Sequence, residues 1–340
     1  MHKSALSYFY WPIALTIAGL VAGIWYGGPT AAVLVSVLIV LEISLSFDNA
    51  VVNATVLRNW DEKWRNVFLF WGILVAVFGM RLVFPILIVS VAGSVDPISV
   101  VDMAFNDPDA YGAKLASMEH VVSGFGGAFL AMVGLAFFVD SEKDTHWLGP
   151  IERILTGAGQ IEGVQAAIVM MGILSVSCFV PMEHAPAFVF SGIVGLVTFI
   201  LSKGLGTVLG GGGGNGVVRQ GVMGFLYLEV LDASFSFDGV IGAFALTNSL
   251  PLIMIGLGVG AFYVREVTIY LVDRGTLEQY RYLEHGAFWA ILVLSGVMFA
   301  KPAGIHLPEW FVGLSGAALI GIAVAASAMA NRRDAVPEKA

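Results

Sequence analysis

The sequence is poor in charge, in cysteine and in histidine. Of its 340 residues only 12% are charged, six are histidine and one is cysteine. Water-facing globules carry about a quarter charged residues, so a soluble domain is excluded. Cys178 is the lone thiol, which excludes a disulfide within the chain and any thiolate metal cluster. A net charge of −8 offers no basic footprint, so no nucleic-acid partner is expected. The short alternating segments of a membrane β-barrel are missing. The glycine run at 210–214 lacks the Lys-Ser/Thr pair that a phosphate loop needs. No His-Glu-x-x-His pair and no convincing nucleophile–base pair occurs, so the chain is not read as an enzyme.

Apolar length is abundant. Hydrophobic residues make up 58% of the chain, and mean hydropathy is +0.85. Windows of about 20 apolar residues, enough to cross a bilayer as a helix, recur from end to end. The pattern predicts an all-α polytopic membrane bundle with ten spans, near 11–27, 30–57, 66–92, 120–139, 163–180, 186–203, 219–248, 250–272, 285–300 and 309–330. The first window ends in Ile24-Trp25-Tyr26-Gly27, a poor cleavage site, and reads as a retained helix. With the N-terminus inside, nearly every Lys and Arg outside the spans falls on the inner side, and only Lys114 and Lys301 fall outside. That bias predicts a bacterial inner (plasma) membrane protein with both termini cytoplasmic.

The chain repeats itself. Glu42–Asn49 (EISLSFDN) matches Asp232–Gly239 (DASFSFDG), so that Ser46, Phe47 and Asp48 coincide with Ser236, Phe237 and Asp238. One span later, Gly72 and Arg81 match Gly256 and Arg265 in spacing. One span further, Glu119-His120 matches Glu284-His285. The single membrane domain therefore divides into repeat one at about 30–140 and repeat two at about 219–301, with a glycine-rich linker at about 204–218. The two motif spans run in opposite directions, an inverted repeat of the kind that builds many secondary transporters.

The repeated motif is acidic at membrane depth. Glu42, Asp48, Glu229, Asp232 and Asp238 lie within predicted spans, and an ionised acid there costs about 2.5–3.5 kcal/mol on insertion scales. Glu42, Ser46, Asn49 and Asn53 share one helical stripe, as do Glu229, Asp232 and Ser236. Asp48 and Asp238 fall off those stripes, and a local break beside Asn49 and Gly239 would turn them inward. Carboxylate, amide and hydroxyl donors without histidine suit Mn²⁺, Mg²⁺ or Ca²⁺. The expected ligands are Glu42, Asp48, Asn49, Asp232 and Asp238, supported by Ser46, Asn53, Glu229 and Ser236. Arg81 and Arg265 read as counter-ions, and the two Glu-His pairs as interfacial caps or a proton gate. Glu183-His184 reads as a solvated loop pair, and Gly313-Leu-Ser-Gly as helix packing.

The stretches at 42–57 (EISLSFDNAVVNATVL) and 227–248 (YLEVLDASFSFDGVIGAFALTN) resemble the TerC family of integral membrane proteins. The stretches at 78–89, 256–277 and 282–291 resemble its branch of unknown function. The resemblance implies manganese export, with Glu42, Asp48, Asp232 and Asp238 along the ion path. The reading is therefore a secondary transporter exporting a divalent cation, Mn²⁺ first, as substrate and not as cofactor. The alternative is a membrane-protein assembly or metal-stress factor whose acids are structural. The expected partners are the lipid bilayer and the metal ion, and homo-oligomerisation stays open.

Overall fold

The computed structural model describes residues 4–140, 143, 145–209 and 221–334, except for the side chains of 205–209, Asp238 and Glu309. The glycine linker expected at about 204–218 lies mostly outside the described residues. Among the described residues every regular element is helical, and seven helices are long and apolar enough to cross a membrane. The long elements are α1 (Tyr10–Leu45), α2 (Phe47–Leu57), α3 (Val75–Gly93), α4 (Glu119–Phe138), α5 (Val164–Ser177), α6 (Ala185–Leu209), α7 (Val222–Leu246), α8 (Leu250–Asp273), α9 (Leu283–Ala300) and α10 (Glu309–Asp334).

Seven differs from the ten expected for identifiable reasons. The first two expected spans share α1, whose backbone breaks at Gly27 and Gly28, the latter at φ +73°. Pro29 follows and cannot donate to the preceding turn. A Cβ at Gly19 would lie 3.9 Å from Val35, sixteen residues on. A straight helix would hold those positions about 24 Å apart, so α1 is folded back as a hairpin. α2 and α5 are short, at 11 and 14 residues. α7 carries Glu229, Asp232 and Asp238, and their charge keeps it outside the seven.

Packing relies on small residues, as membrane helix contacts do. Both arms of α1 lie on α8. Gly19 of the first arm faces Ile255 and Val259, while Leu38 of the second fills the space over Gly256. α4 is the most enclosed of the seven, set between α6 and α9. Ser295 of α9 donates to the Gly127 carbonyl of α4 at 2.8 Å, and Gly195 of α6 abuts the Phe125 backbone. Large apolar side chains on the periphery remain uncovered, among them Trp25, Val91 and Phe190. Apolar exposure on that scale is a liability in water and is what a lipid environment accommodates.

Candidate functional site

The expected break in the first motif falls at Ser46 (φ −108°, ψ 13°), three residues before Asn49. α7 runs through Gly239 without one. The break separates α1 from α2 but leaves the polar stripe intact. Glu42, Ser46 and Asn53 line a cavity of about 50 Å³ together with Glu229 and Asp232 of α7, Arg81 of α3, and Arg265 and Thr268 of α8. That volume holds a small ion with a few waters, since one water occupies on the order of 15 Å³ on this measure.

The two motif helices cross antiparallel at the cavity. Asn49 Nδ2 donates to Asp232 Oδ1 at 2.6 Å. At the other end of the crossing, a Cβ on Gly239 would lie 3.3 Å from Glu42 Oε2. Glu42 is engaged through one oxygen: Arg81 pairs with its Oε1, and Ser46 Oγ donates to the same atom at 3.0 Å. Arg81 also donates to the Ala76 carbonyl, from a helical stretch wound wider than an α-helix over Val75–Val83. Gly260 lets α8 lie directly on the Glu42 side chain.

The α7 acids are less provided for. Among the described residues, both carboxylate oxygens of Glu229, Asp232 Oδ2, Asn49 Oδ1 and Asn53 Oδ1 are buried without a hydrogen-bond partner. Gly72 leaves Glu229 its room, since a Cβ there would sit 3.2 Å from Oε1. Arg265 is taken by Glu266 and by the Leu69 carbonyl. Counting Glu42, Glu229, Asp232 and Glu266 against Arg81 and Arg265 leaves a formal −2 around the cavity. Orphaned acceptors and surplus negative charge both call for a cation or protons. Among the described residues, no three His, Cys, Asp or Glu side chains converge closely enough to hold a metal as they stand.

The remaining expected residues are dispersed. Asp48 is buried in a separate crevice with Leu45, Phe235, Gly313, Ser315 and Gly316, its Oδ1 accepting from the Asn49 backbone N–H at 2.9 Å. The Asp238 side chain lies outside the described residues. Ser236 is buried on α7. The Glu-His pairs go to opposite ends of the bundle, because α4 and α9 pack antiparallel. Glu119 lies 3.8 Å from Lys301, and His120 stacks on His184 with ring centres 4.2 Å apart. His184 is thus a packed ring as well as a loop residue. Glu284 pairs with Arg58, and His285 contacts the Thr145 carbonyl at 2.8 Å.

Sequence reasoning missed Thr268 and Glu152. Thr268 lies one turn beyond Arg265 on the same face of α8, a spacing that could have flagged it. Glu152 is wholly buried outside the repeats, in a segment with no motif to announce it.

A helical bundle with seven membrane-length helices among the described residues, and an acidic cavity between them, defines a multi-pass membrane protein. The chain belongs to the DUF475 family, described as proteins of unknown function, which it matches over residues 47–334. No curated protein and no solved structure matches it. DUF475 is a different family from TerC, so the TerC resemblance is corrected. Acids buried within apolar helices recur among polytopic proteins, and such likeness does not establish descent. Manganese as the ion and export as the direction lose the support they drew from it.

Proposed function

We propose that the chain is a secondary transporter of a hard divalent cation, which binds as substrate in the cavity between α1, α2, α3, α7 and α8. The observation that carries this reading is the set of five buried, unpartnered acceptor oxygens on Glu229, Asp232, Asn49 and Asn53. Two carboxylates and two amide carbonyls form an oxygen-only donor set, and a formal −2 suits a doubly charged ion. Ion binding requires these side chains to rotate toward a common centre, where a hard cation takes oxygens at about 2.0–2.6 Å.

The repeat supports alternating access. Residue 42 corresponds to 232 in the repeat, and 49 to 239. The contacts between Glu42 and Gly239 and between Asn49 and Asp232 are exchanged by that correspondence, as contacts across a two-fold axis are. For antiparallel crossing helices that axis lies in the membrane plane, the relation of inverted repeats. Ten crossings, with repeats at about 30–140 and 219–301, follow if the hairpin arms of α1, α5 and α7 each span. Both termini then lie on one side, and the Lys and Arg bias makes that side cytoplasmic.

The test is flux of Mn²⁺, Mg²⁺ and Ca²⁺ into vesicles reconstituted with the full chain. Flux of at least one ion is expected, lost in Glu229→Gln and in Asp232→Asn while insertion and melting stay as in the parent. Undiminished flux in both variants would remove the cavity from the path. A parent chain that passes none of these ions would favour the assembly or stress factor.

A further inference from the structure

Beyond the cavity, the most elaborate polar construction among the described residues surrounds Glu152. This carboxylate is 0% exposed and sits in the first turn of the short helix Gly149–Ala158. It accepts from the backbone N–H of Leu148 at 3.1 Å and of Trp147 at 3.2 Å, from Lys143 Nζ at 3.1 Å and from Trp289 Nε1 at 3.3 Å. His285 Nε2 lies 3.5 Å away and His146 Nδ1 3.7 Å away. The effect is to fix the rotation of the helix: the Glu152 face is locked inward against α9.

A second set of contacts fixes its depth. Thr156 Oγ1, whose proton is shared with the Glu152 carbonyl at 2.9 Å, lies 3.2 Å from the Phe138 carbonyl, and Gly159 abuts the Val139 carbonyl. The helix therefore lies where membrane-length α4 ends. With rotation and depth both set, the outward face is apolar. Ile151 is 51% exposed and Ile154 is 73% exposed. At 100° per residue, Ile151, Ile154 and Ala158 share an arc of about 60°. Ile161, just past the helix, is also exposed, and Arg153 projects from the flank of this face.

We propose that the segment from Leu148 to Ile161 is an interfacial anchor, bedded in the boundary between lipid headgroups and acyl chains at the end of α4. The bilayer is the occupant that the geometry selects. The face begins at the level where the apolar span stops, and α5 resumes an apolar path at Val164. A flanking arginine reaches phosphate while isoleucines enter the acyl region, the division of labour of helices lying in a membrane surface. The Glu152 cage joins that anchor to α9, so the lipid surface is mechanically tied to the second repeat.

The test places one cysteine at a time in full-length chain carrying Cys178→Ser: Ile154→Cys, Ile151→Cys and, as an aqueous reference, Lys63→Cys. Each is labelled with a bimane fluorophore in vesicles of phosphatidylcholine and phosphatidylglycerol. At 151 and 154, chain-brominated lipid should quench several-fold more than at 63, and aqueous iodide several-fold less. Iodide quenching equal to that at 63 would overturn the proposal. Protection from both quenchers would also overturn it, pointing to a protein neighbour. Two separate positions guard against one label disturbing the helix, and both residues are surface side chains whose replacement leaves the cage intact.

Discussion

The two motif helices contribute acids to one cavity but treat them differently. On α1, Glu42 receives an arginine and a serine hydroxyl, so its charge is cancelled within the protein. On α7, Asp232 receives one amide from Asn49 and keeps an unpartnered oxygen, and Glu229 has no hydrogen-bond partner among the described residues. The difference traces to one pair of corresponding positions. Arg81 pairs with Glu42, whereas Arg265, its counterpart in the repeat, is taken by Glu266 and the Leu69 carbonyl and leaves the α7 acids without an arginine of their own. The first half thus fixes structure, and the second holds the unmet demand for positive charge.

The comparison breaks most decisively at Arg81. Arg81→Met leaves Glu42 buried without its counter-ion, and breaking such a pair costs about 3–5 kcal/mol. The expected outcome is a large fall in melting temperature in detergent, with much of it recovered when Glu42→Gln is added. A single variant as stable as the parent would show that the pair does not hold the first half.

Next in size is the loss of function without loss of fold on α7. Glu229→Gln and Asp232→Asn should each weaken cation binding about a hundredfold, the equivalent of about 2.7 kcal/mol. Their melting temperatures should hold or rise, because an amide is less costly to bury than an unpaired acid. Calorimetric titration with divalent ions would measure the first, and thermal scans the second. A smaller effect is expected at Asp48, which faces the other crevice. Asp48→Asn should leave divalent affinity within a few-fold of the parent, and a hundredfold loss would place Asp48 in the site after all.

The smallest effect is pH-dependent and lies at the membrane end. Burial by itself would raise the Glu152 carboxyl, but the Leu148 N–H, His285 and Lys143 together hold it below its ordinary value. A depressed acid stabilises the fold above its unfolded value, about 4.3, and that stability is lost as pH falls through the folded value. Glu152→Gln should therefore lower the melting temperature at pH 7 and matter progressively less below pH 4. An equal deficit at both pH values would mean that packing, not charge, accounts for it.

Much of this was legible in the sequence. Apolar windows announced the helical membrane bundle, and the four-three-four spacing of Glu42, Ser46, Asn49 and Asn53 foretold which side chains meet α7. Repetition of the motif pointed to the crossing partner. What failed was angular. Placing Asp48 required knowing that the chain breaks at Ser46, and a one-residue shift of a break redirects a side chain by about 100°. The hairpin in α1 was legible from Gly27-Gly28-Pro29, whereas the Glu152 cage gathers donors from 143 to 289 that no local pattern links. Family resemblance failed for another reason: the stretches that carried it are apolar helices holding buried acids, a pattern that polytopic proteins of different families share.

The wide winding of Val75–Val83 makes the cavity sensitive to chain length. Each wide turn accommodates about one residue more than an α-helical turn, so this stretch behaves as if it held an insertion that was never smoothed out. A deletion that let it relax to α-helical geometry would swing Arg81 about 100° around the axis, away from Glu42. Point substitutions along α3 that face lipid should be absorbed freely, while single-residue deletions should not. In descendants of this chain, therefore, the number of residues between Gly72 and Arg81 is a stricter inheritance than their identity.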